Sequence, residues 1–309
     1  MTSVRPLEAN DVEPVVTRIR DRLVRDSDIQ PLVNPSISTE LLSESLRDAT
    51  HLTWVADHDG AIVGHLYGAI LESGTYGHGV WIGPDGASFD NTDILSDLYS
   101  AAGAAWIEHG ALEHYVWTID DIASTQPWYE MGFARMHMRG VMRLESRIDH
   151  ELPAGYCLRR GTAQDLEIAV ALDDELDNVQ RVGPSFSIGV DHTSKHDDLL
   201  ETLEDPEVHH YIVEFEGHAI AQCITFPLPP RRGSFERTLH LSAVTVDAEH
   251  RQFGVGTAMV DAALRDARHG GFEYVETNWR VTNRRARNFW LDYGFEPTYV
   301  RLHRTIGLG

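Results

Sequence analysis

The chain has 309 residues, which is enough for two ordinary domains, and its 42% hydrophobic and 24% charged residues are typical of a soluble globular protein. A formal net charge of -22 would repel nucleic acid and anionic membranes, so we expect neither as a partner. No apolar run has the length of a membrane span, and residues 1–6 lack the basic start and apolar segment of a signal peptide. We therefore expect a cytoplasmic protein.

The cysteines and histidines give no sign of a disulfide framework or a metal site. Cys157 and Cys223 both fall in predicted strands, where we expect them to be small buried side chains in a reducing compartment. No group of cysteines and histidines has the spacing of a zinc site, so we expect no metal.

The chain repeats itself, beginning at its first element. Residues 5–12 resemble residues 159–166, and each segment is typical of a strand end followed by a helix start, with Asp11 and Asp165 near the cap. Further on, two apolar segments flank Asp59-Gly60 in the first half and Glu216-Gly217 in the second. An apolar segment, a turn ending in glycine and a second apolar segment predict a β-hairpin in each half.

The third match lies near the end of each half. Trp117 precedes Gly132-Phe133 at the same spacing at which Trp279 precedes Gly294-Phe295. Three matches in the same order indicate two copies of one fold. The polar segment from Glu145 to Gly155 marks the seam, so we predict domains at 1–148 and 155–309. Each half is predicted to run strand, helices, hairpin, long strand, helix, strand, helix, strand, an α/β (α+β) fold with a mixed sheet.

The second copy contains a pattern suited to binding phosphate. Residues 239–246 form an apolar, β-branched strand, and Arg251, Gly254 and Gly256 follow before a strong helix pattern that ends at Gly270-Gly271. Glycines allow the backbone to approach an anion closely, and the N–H groups at a helix start point toward it. A glycine pair alone is weak evidence, because it can simply mark a tight turn.

The residues that follow complete a family motif. After the strand from Tyr274 to Val281 come Asn283, Ala286, Phe289-Trp290 and Gly294-Phe295. Together with the Arg-x-x-Gly-x-Gly turn, this pattern resembles the GNAT superfamily of acyl-CoA N-acyltransferases. The duplicated arrangement is similar to that of mycothiol synthase and other two-domain actinobacterial acetyltransferases. The resemblance implies two GNAT folds in tandem and an N-acetyltransferase that uses acetyl-CoA.

The resemblance also implies a cofactor site. Backbone N–H groups from Arg251 to Thr257 would take the CoA pyrophosphate, Val246 would offer its backbone to pantetheine and its N–H to the thioester carbonyl, and Asn283 would bond pantetheine or order the following helix. The full predicted set is Val244, Val246, Arg251, Gln252, Phe253, Gly254, Val255, Gly256, Thr257, Asn283, Ala286, Phe289 and Trp290.

A cluster of arginines follows the motif strand, on a chain that is otherwise acidic. Arg280, Arg284, Arg285 and Arg287 would either meet the 3′-phosphate of CoA or form a solvated face with surface ion pairs.

The catalytic residues depart from the family pattern. Ser242 stands where many members have a glutamate base, and Trp290 stands where many have a tyrosine acid. His240, which lies on the same strand face as Ser242, is the first candidate for the base, and Glu276 on the neighbouring strand is the second. Tyr293, one helical turn after Trp290, is a candidate acid, although water could also serve. Each of these residues also has a purely structural interpretation.

The first copy lacks the phosphate pattern. Residues 85–94 stand opposite the phosphate turn, and they contain three aspartates, no Gly-x-Gly and no counterpart of Arg251, while Asp121 replaces Asn283. We expect this half not to bind CoA, and instead to complete the acceptor pocket or support the second half.

The acceptor is predicted from the second copy and from charge. Residues 177–198 would wall its site, and Asp173, Asp174, Glu175 and Asp177 would either orient a cation or form an exposed helix face. The acidic surface suits a small cationic amine, although it also serves solubility. A non-catalytic acyl-CoA sensor is the alternative function, and an aminoacyl-tRNA-dependent transferase would need a basic face. We expect a monomer or a homodimer.

Overall fold

The computed structural model describes residues 2–47, 52–73, 77–145, 150–187, 192–229 and 233–307. Residues 146–149 of the predicted seam and 188–191 of the predicted acceptor wall lie outside these ranges. The chain divides into two compact units. Among the described residues, unit 1 holds 2–138, 233–234 and 297–307, and unit 2 holds 139–229 and 235–296.

The described residues of the first half form four α-helices and eight strands. They are β1 (Thr2–Pro6), α1 (Val12–Ile29), α2 (Thr39–Arg47), β2 (Trp54–His58), β3 (Ala61–Leu66), β4 (Ala69–Ser73), β5 (Gly77–Ile82), β6 (Ala87–Phe89), α3 (Thr92–Glu108), β7 (Glu113–Ile119), α4 (Ile122–Glu130) and β8 (Ala134–Arg143).

In the part of the second half that the structure describes, there are four α-helices and six strands. They are β9 (Tyr156–Arg160), α5 (Leu166–Arg181), α6 (His192–Glu204), β10 (His209–Phe215), β11 (His218–Pro227), β12 (Thr238–Val246), α7 (Val255–His269), β13 (Tyr274–Arg280), α8 (Arg284–Tyr293) and β14 (Glu296–Thr305). The mixed α/β class is confirmed. No helix in the described ranges is long and apolar enough to cross a membrane.

Each unit is completed by a strand from the other half of the sequence. In unit 1, β14 pairs antiparallel with β7, and Arg301 stands opposite Trp117. In unit 2, the second half of β8, from Arg139 onward, lies beside β13. The predicted domains at 1–148 and 155–309 follow the sequence repeat. The compact units differ from them, because β14 belongs to unit 1 and the second half of β8 belongs to unit 2. The domain bounds therefore remain a prediction.

Unit 2 is built on a sheet in the order β8-β13-β12-β11-β10-β9. The β12–β13 pair is parallel, and β9, β10, β11 and β12 pair antiparallel in sequence order. Helix α7 buries Met259, Val260, Ala263 and Leu264, an apolar stripe that supports its packing on the sheet.

The elements predicted from the repeat form in both halves. Arg5 pairs with Asp11 at 2.6 Å and with Asp57 at 3.1 Å, and Arg159 pairs with Asp165 at 2.8 Å and with Glu214 at 2.7 Å. The same charged triad therefore joins the strand end to the helix start in each copy.

The predicted hairpin turns also form. Asp59-Gly60 and Glu216-Gly217 both have two successive positive φ angles, 52° and 88° in the first and 50° and 79° in the second. Two positive φ angles are what a tight two-residue hairpin turn requires, and glycine adopts the second without strain.

Two expectations are wrong in detail. After the first hairpin, the described residues form the short strands β4, β5 and β6 in place of the predicted long strand. Cys223 is buried as expected, and burial raises the pKa of its thiol to about 12, but Cys157 is exposed. Cys157 lies on β9, whose alternating side chains face outward at this position.

Candidate functional site

A cleft of about 650 Å³ opens in unit 2 where β12 ends and α7 begins. Every residue of the predicted cofactor set lines it except Phe253, whose side chain is 61% exposed outside the cleft. Helices α5 and α8 supply the remaining walls, the first through Leu176 and Val179. One cavity therefore collects residues that are far apart in sequence.

The last residues of β12 separate from β13 at the cleft. Register pairs between these two parallel strands end at Leu241 and Thr277, and the Thr277 hydroxyl donates to the Leu241 carbonyl at 3.0 Å. Beyond this point Ala243 has φ +48° and forms a β-bulge against β11. The bulge and the separation turn Val244 and Val246 into the cleft, as the prediction for this strand requires.

The turn after β12 presents the start of α7 to the cleft. Gln252 has φ +69°, and Gly254 has φ +84° at the N-cap, a position where glycine offers no side chain to cap the helix. The first backbone N–H groups of α7 therefore face the cavity, together with the positive end of the helix dipole. This is the geometry that binds phosphate at a helix start.

The two glycines of the turn serve different purposes. A Cβ at Gly254 would meet nothing within 4 Å, so glycine is needed there for its backbone angle alone. A Cβ at Gly256 would stand 3.4 Å from a Val246 methyl and 3.9 Å from the Phe289 ring, so a longer side chain would enter the cleft.

Arg251 is held by two neighbours. Its Nε donates to the Val246 carbonyl at 2.7 Å, and its guanidinium pairs with Glu175 on α5 at 3.2 Å. The Val246 carbonyl is thus engaged by Arg251 in this structure, and the phosphate contact predicted for Arg251 would compete with Glu175.

Helix α8 forms the floor of the cleft. Asn283 caps it, accepting from the Ala286 N–H at 3.1 Å, so ordering the helix is the role seen for this residue. Trp290 is 4% exposed and packs edge-on against Phe289 and Phe295 at ring distances of 4.8 and 5.0 Å. Its structural interpretation is therefore supported, although the residue also lines the cleft.

The structure places Tyr293 away from the cleft. Its hydroxyl donates to Asp261, a buried carboxylate in α7 that also accepts from the backbone and ring of His150 at 2.7 Å. Tyr293 is 7% exposed and is not among the residues that line the cavity. These contacts give it a structural role and count against it as the acid.

The two candidate bases lie side by side, also outside the cleft lining. His240 and Glu276 are register partners on β12 and β13, with 3.8 Å between Nδ1 and Oε1. Glu276 is fully buried and stands 3.5 Å from Arg139 Nε, whereas 12% of the His240 side chain is exposed. Of the two, only His240 has contact with solvent.

The acidic residues of α5 surround the single lysine of the chain. Lys195 on α6 lies 3.0 Å from Asp173, 2.8 Å from Asp174 and 2.6 Å from Asp177, and its side chain is 6% exposed. Glu175 takes Arg251, as described above. Of the two alternatives predicted for these aspartates, the structure shows a bound cation, and that cation is the chain's own Lys195.

The arginines of the predicted cluster separate into two groups. Arg280 donates to Gln180 at 2.6 Å and to Ser187 at 2.7 Å, which ties β13 to α5 and its following loop. Arg284, Arg285 and Arg287 line a second cavity of about 420 Å³ with Asn288, and Arg285 also lines the main cleft. All three arginines of the second group are exposed, so a contact with the 3′-phosphate and a solvated face both stay predictions.

Sequence reasoning missed some residues of the cleft. Leu176 and Val179 belong to the apolar face of α5, which the helical periodicity alone assigns to the core. His250 lines the cleft while its Nδ1 lies 2.9 Å from the Tyr156 hydroxyl on β9. No local signal connects His250 with a strand so far away in sequence.

In unit 1 the helix start that matches the start of α7 is capped by a side chain. Asn91 caps α3 by accepting from the Ile94 N–H at 3.0 Å, so a side chain already occupies this helix start. Asp85 is buried and accepts from the Tyr67 hydroxyl, and Asp121 caps α4 as Asn283 caps α8. Residues 87–89 form β6 where unit 2 has its phosphate turn.

Comparison with known proteins agrees with this description. Residues 176–295 match the family model of the acetyltransferase (GNAT) family, a range that contains every residue lining the cleft. The match lies in the second half of the sequence and covers less than half of the 309 residues. No curated protein matches the chain by sequence.

Solved structures show the same fold over the whole chain. A GCN5-related N-acetyltransferase from Sphaerobacter thermophilus is 16% identical, with a TM-score of 0.67, over 100% of this chain and 96% of its own. A tandem GNAT protein from the clavulanic acid biosynthesis pathway is 18% identical, with a TM-score of 0.59, over 100% of both chains. The chain is thus two GNAT folds in tandem, as predicted, while the similarity to mycothiol synthase remains a prediction.

Proposed function

We propose that the protein is an acetyl-CoA-dependent N-acetyltransferase whose cofactor binds in the cleft of unit 2. The observation that carries this proposal is the uncapped start of α7, which faces a cleft beside a separated, bulged strand. A helix start of this kind binds a diphosphate, and the separated strand leaves room for an extended chain beside it.

The residues of the chain have distinct tasks in this proposal. Backbone N–H groups from Val255 to Thr257 hold the pyrophosphate, and Val244 and Val246 flank the pantetheine arm and thioester. Arg284, Arg285 and Arg287 receive the 3′-phosphate, because they line a cavity that shares Arg285 with the cleft. Ala286 and Phe289 pack beneath the bound chain.

The reaction requires an amine to attack the thioester carbon directly. A C–N bond forms, the C–S bond breaks, and CoA leaves as a thiolate. We assign the removal of the ammonium proton to His240, directly or through water, because Glu276 is buried and His240 is not. Since Trp290 has no proton to give and Tyr293 is bonded to Asp261, the thiolate takes its proton from solvent. Much of the rate comes from holding the amine beside the thioester.

The acceptor is proposed to be a small, possibly cationic, amine. The net charge of -22 supports this choice because an acidic protein attracts cations. The first unit is proposed to bind no CoA, since Asn91 occupies the helix start that would receive phosphate. We further propose that the protein works in the cytoplasm as a monomer or homodimer, without a metal, nucleic acid or membrane partner.

A non-catalytic acyl-CoA sensor is the second candidate, because His240, Glu276 and Tyr293 do not line the cleft. Incubation of the protein with acetyl-CoA and a panel of amines separates the two functions, with release of the CoA thiol as the signal. We expect release with at least one amine, and none from a Gly256→Leu variant. Binding of acetyl-CoA without turnover would favour the sensor, and failure to bind would contradict both functions.

A further inference from the structure

Arg139 reaches the second unit from the first copy of the repeat. It lies on β8 and follows Gly132-Phe133 at the spacing at which Arg301 follows Gly294-Phe295. The Leu144 N–H donates to the Glu273 carbonyl at 2.8 Å, which fixes the end of β8 in unit 2. A Cβ at Gly140 would overlap the Trp279 indole, so glycine lets β8 approach this ring.

Its partner there is one of the two residues proposed above as candidate bases. Arg139 is 5% exposed, and its Nε lies 3.5 Å from Oε1 of the fully buried Glu276. The same Oε1 lies 3.8 Å from Nδ1 of His240. The three side chains therefore form a row, with Arg139 on β8, Glu276 on β13 and the partly exposed His240 on β12.

The positive charge of Arg139 determines whether Glu276, in the middle of this row, is ionised. A buried carboxylate without a cation takes up a proton, because burial disfavours the charged form. A guanidinium is protonated at every pH at which proteins are folded, so Arg139 holds Glu276 as a carboxylate. The Arg139–Glu276 pair is then neutral as a whole, and His240 can lose its proton without standing beside an uncompensated negative charge.

The equivalent arginine in unit 1 has different surroundings. His114 occupies the position that matches Glu276, and the Arg301 guanidinium lies over the rings of Trp81, Tyr115 and Trp117 at 5.1, 5.6 and 5.6 Å. Arg301 also contacts His137 Nδ1 at 2.5 Å. Both units thus contain a buried arginine at this position of the repeat. Among the described residues, only unit 2 has a carboxylate, Glu276, between this arginine and a partly exposed histidine, His240.

We propose that Arg139 is a positioning residue for acetyl transfer, which holds Glu276 ionised beside His240 and so sets the pH range in which His240 accepts the acceptor's proton. The inference rests on the proposed function. The groups described around His240 are Glu276 on β13, Arg139 beyond it on β8, and the Phe226 ring on β11 at 5.0 Å. In the reaction His240 takes one proton from the acceptor's ammonium and passes it to solvent, after which the neutral amine attacks. The nitrogen loses a second proton to solvent as the C–S bond breaks.

The test is an NMR titration of the His240 ring in the full chain, with its signal assigned by its loss in His240→Gln. In Arg139→Gln the Glu276 carboxylate has lost its cation, so the pair of Glu276 and His240 keeps one proton up to a higher pH. The midpoint of the His240 titration therefore rises by about one pH unit. The midpoint of the acid limb in the pH profile of kcat/KM, measured with the best amine, shifts to higher pH by the same amount. Arg139→Lys keeps the charge and leaves both near the wild-type values.

Arg301→Gln is the matched control, since it removes the equivalent buried arginine from unit 1. It should leave the His240 midpoint and the acid limb unchanged. Should Arg139→Gln fail to fold, Glu276→Gln replaces it. The midpoint then falls, because the carboxylate that stands between the Arg139 charge and His240 has been removed. A midpoint that does not move in the folded variant overturns the proposal. A midpoint that moves in a protein without turnover overturns the proposed function and leaves the charge coupling in place.

Discussion

Arg251 donates a hydrogen bond of 2.7 Å from Nε to the carbonyl oxygen of Val246, and this bond closes the turn that joins β12 to α7. The same guanidinium reaches Glu175 on α5 at 3.2 Å. One side chain thus connects the strand proposed to flank the thioester, the turn proposed to hold the pyrophosphate, and the helix that walls the cleft.

We expect replacement of Gly254 and of Gly256 to weaken acetyl-CoA binding to different extents. Gly256→Leu should weaken acetyl-CoA binding at least about 100-fold, because its side chain would fill the space between Val246 and Phe289. Gly254→Ala should weaken it less, since the strain of a positive φ costs only about 1–2 kcal/mol. Isothermal titration calorimetry measures both affinities.

Gly271→Ala is the matched control for Gly254→Ala. Gly271 has φ +82° at the opposite end of α7, and a Cβ there also meets nothing within 4 Å. It should lower stability by a similar amount and leave acetyl-CoA affinity unchanged. Equal losses of affinity in the two variants would show that strain, rather than the phosphate contact, explains the effect.

Glu175 is expected to oppose cofactor binding. Its carboxylate competes with phosphate for Arg251, so Glu175→Gln should tighten acetyl-CoA binding a few-fold, whereas Arg251→Gln should weaken it about 10-fold. Glu167→Gln, on the exposed face of the same helix, controls for the change in net charge. Weaker binding in Glu175→Gln would mean that the Glu175–Arg251 pair preorganises the turn instead.

Tyr293→Phe should retain turnover. Its hydroxyl donates to Asp261 rather than facing the cleft, so the loss concerns stability and not proton transfer. We expect kcat within about two-fold of the wild type and a lower free energy of unfolding by about 1–3 kcal/mol, because the Asp261 carboxylate loses a buried donor. Steady-state kinetics and urea unfolding measure the two quantities. A large loss of kcat with unchanged stability would restore Tyr293 as the acid.

Two buried histidines should make the fold sensitive to acid. Burial lowers the pKa of His65 to about 3 and that of His114 to about 4. In the unfolded chain both would titrate near the ordinary value, about 6.5, so below that pH the unfolded state binds more protons and stability falls with pH. Each histidine should cost about 2 kcal/mol of unfolding free energy at pH 5 relative to pH 7.

The pH dependence of urea unfolding tests this expectation. His114→Gln keeps an acceptor for the Tyr99 hydroxyl, which lies 2.7 Å from His114 Nδ1, and should flatten the dependence between pH 7 and 5. His109→Gln, at an exposed position, should leave it unchanged. An identical pH slope in His114→Gln and the wild type would contradict a neutral buried His114.

The sequence predicts those features that depend on local chemistry. The turn around Gly254 could be predicted because glycine, arginine and helix formers stand in one short segment, and the hairpins because Asp59-Gly60 and Glu216-Gly217 tolerate two positive φ angles. The helix cap formed by Asn283 is one of the two roles that the family resemblance implies for this residue.

What could not be predicted depends on distant partners. A strand pattern is the same whichever sheet it joins, so nothing in residues 134–143 shows that Arg139 meets Glu276. The three aspartates around Lys195 are similar, since an acidic helix face shows no cation until α6 packs beside it. The spacing of Tyr293 from Trp290 likewise does not reveal Asp261 as the partner of its hydroxyl.

The most direct test of the account is a calorimetric titration of the full chain with acetyl-CoA. We predict one site per chain, which is retained in an Asn91→Ala variant of unit 1 and abolished by Gly256→Leu in unit 2. Absence of binding, or binding that survives Gly256→Leu, would contradict the assignment of the cofactor to the cleft at the start of α7.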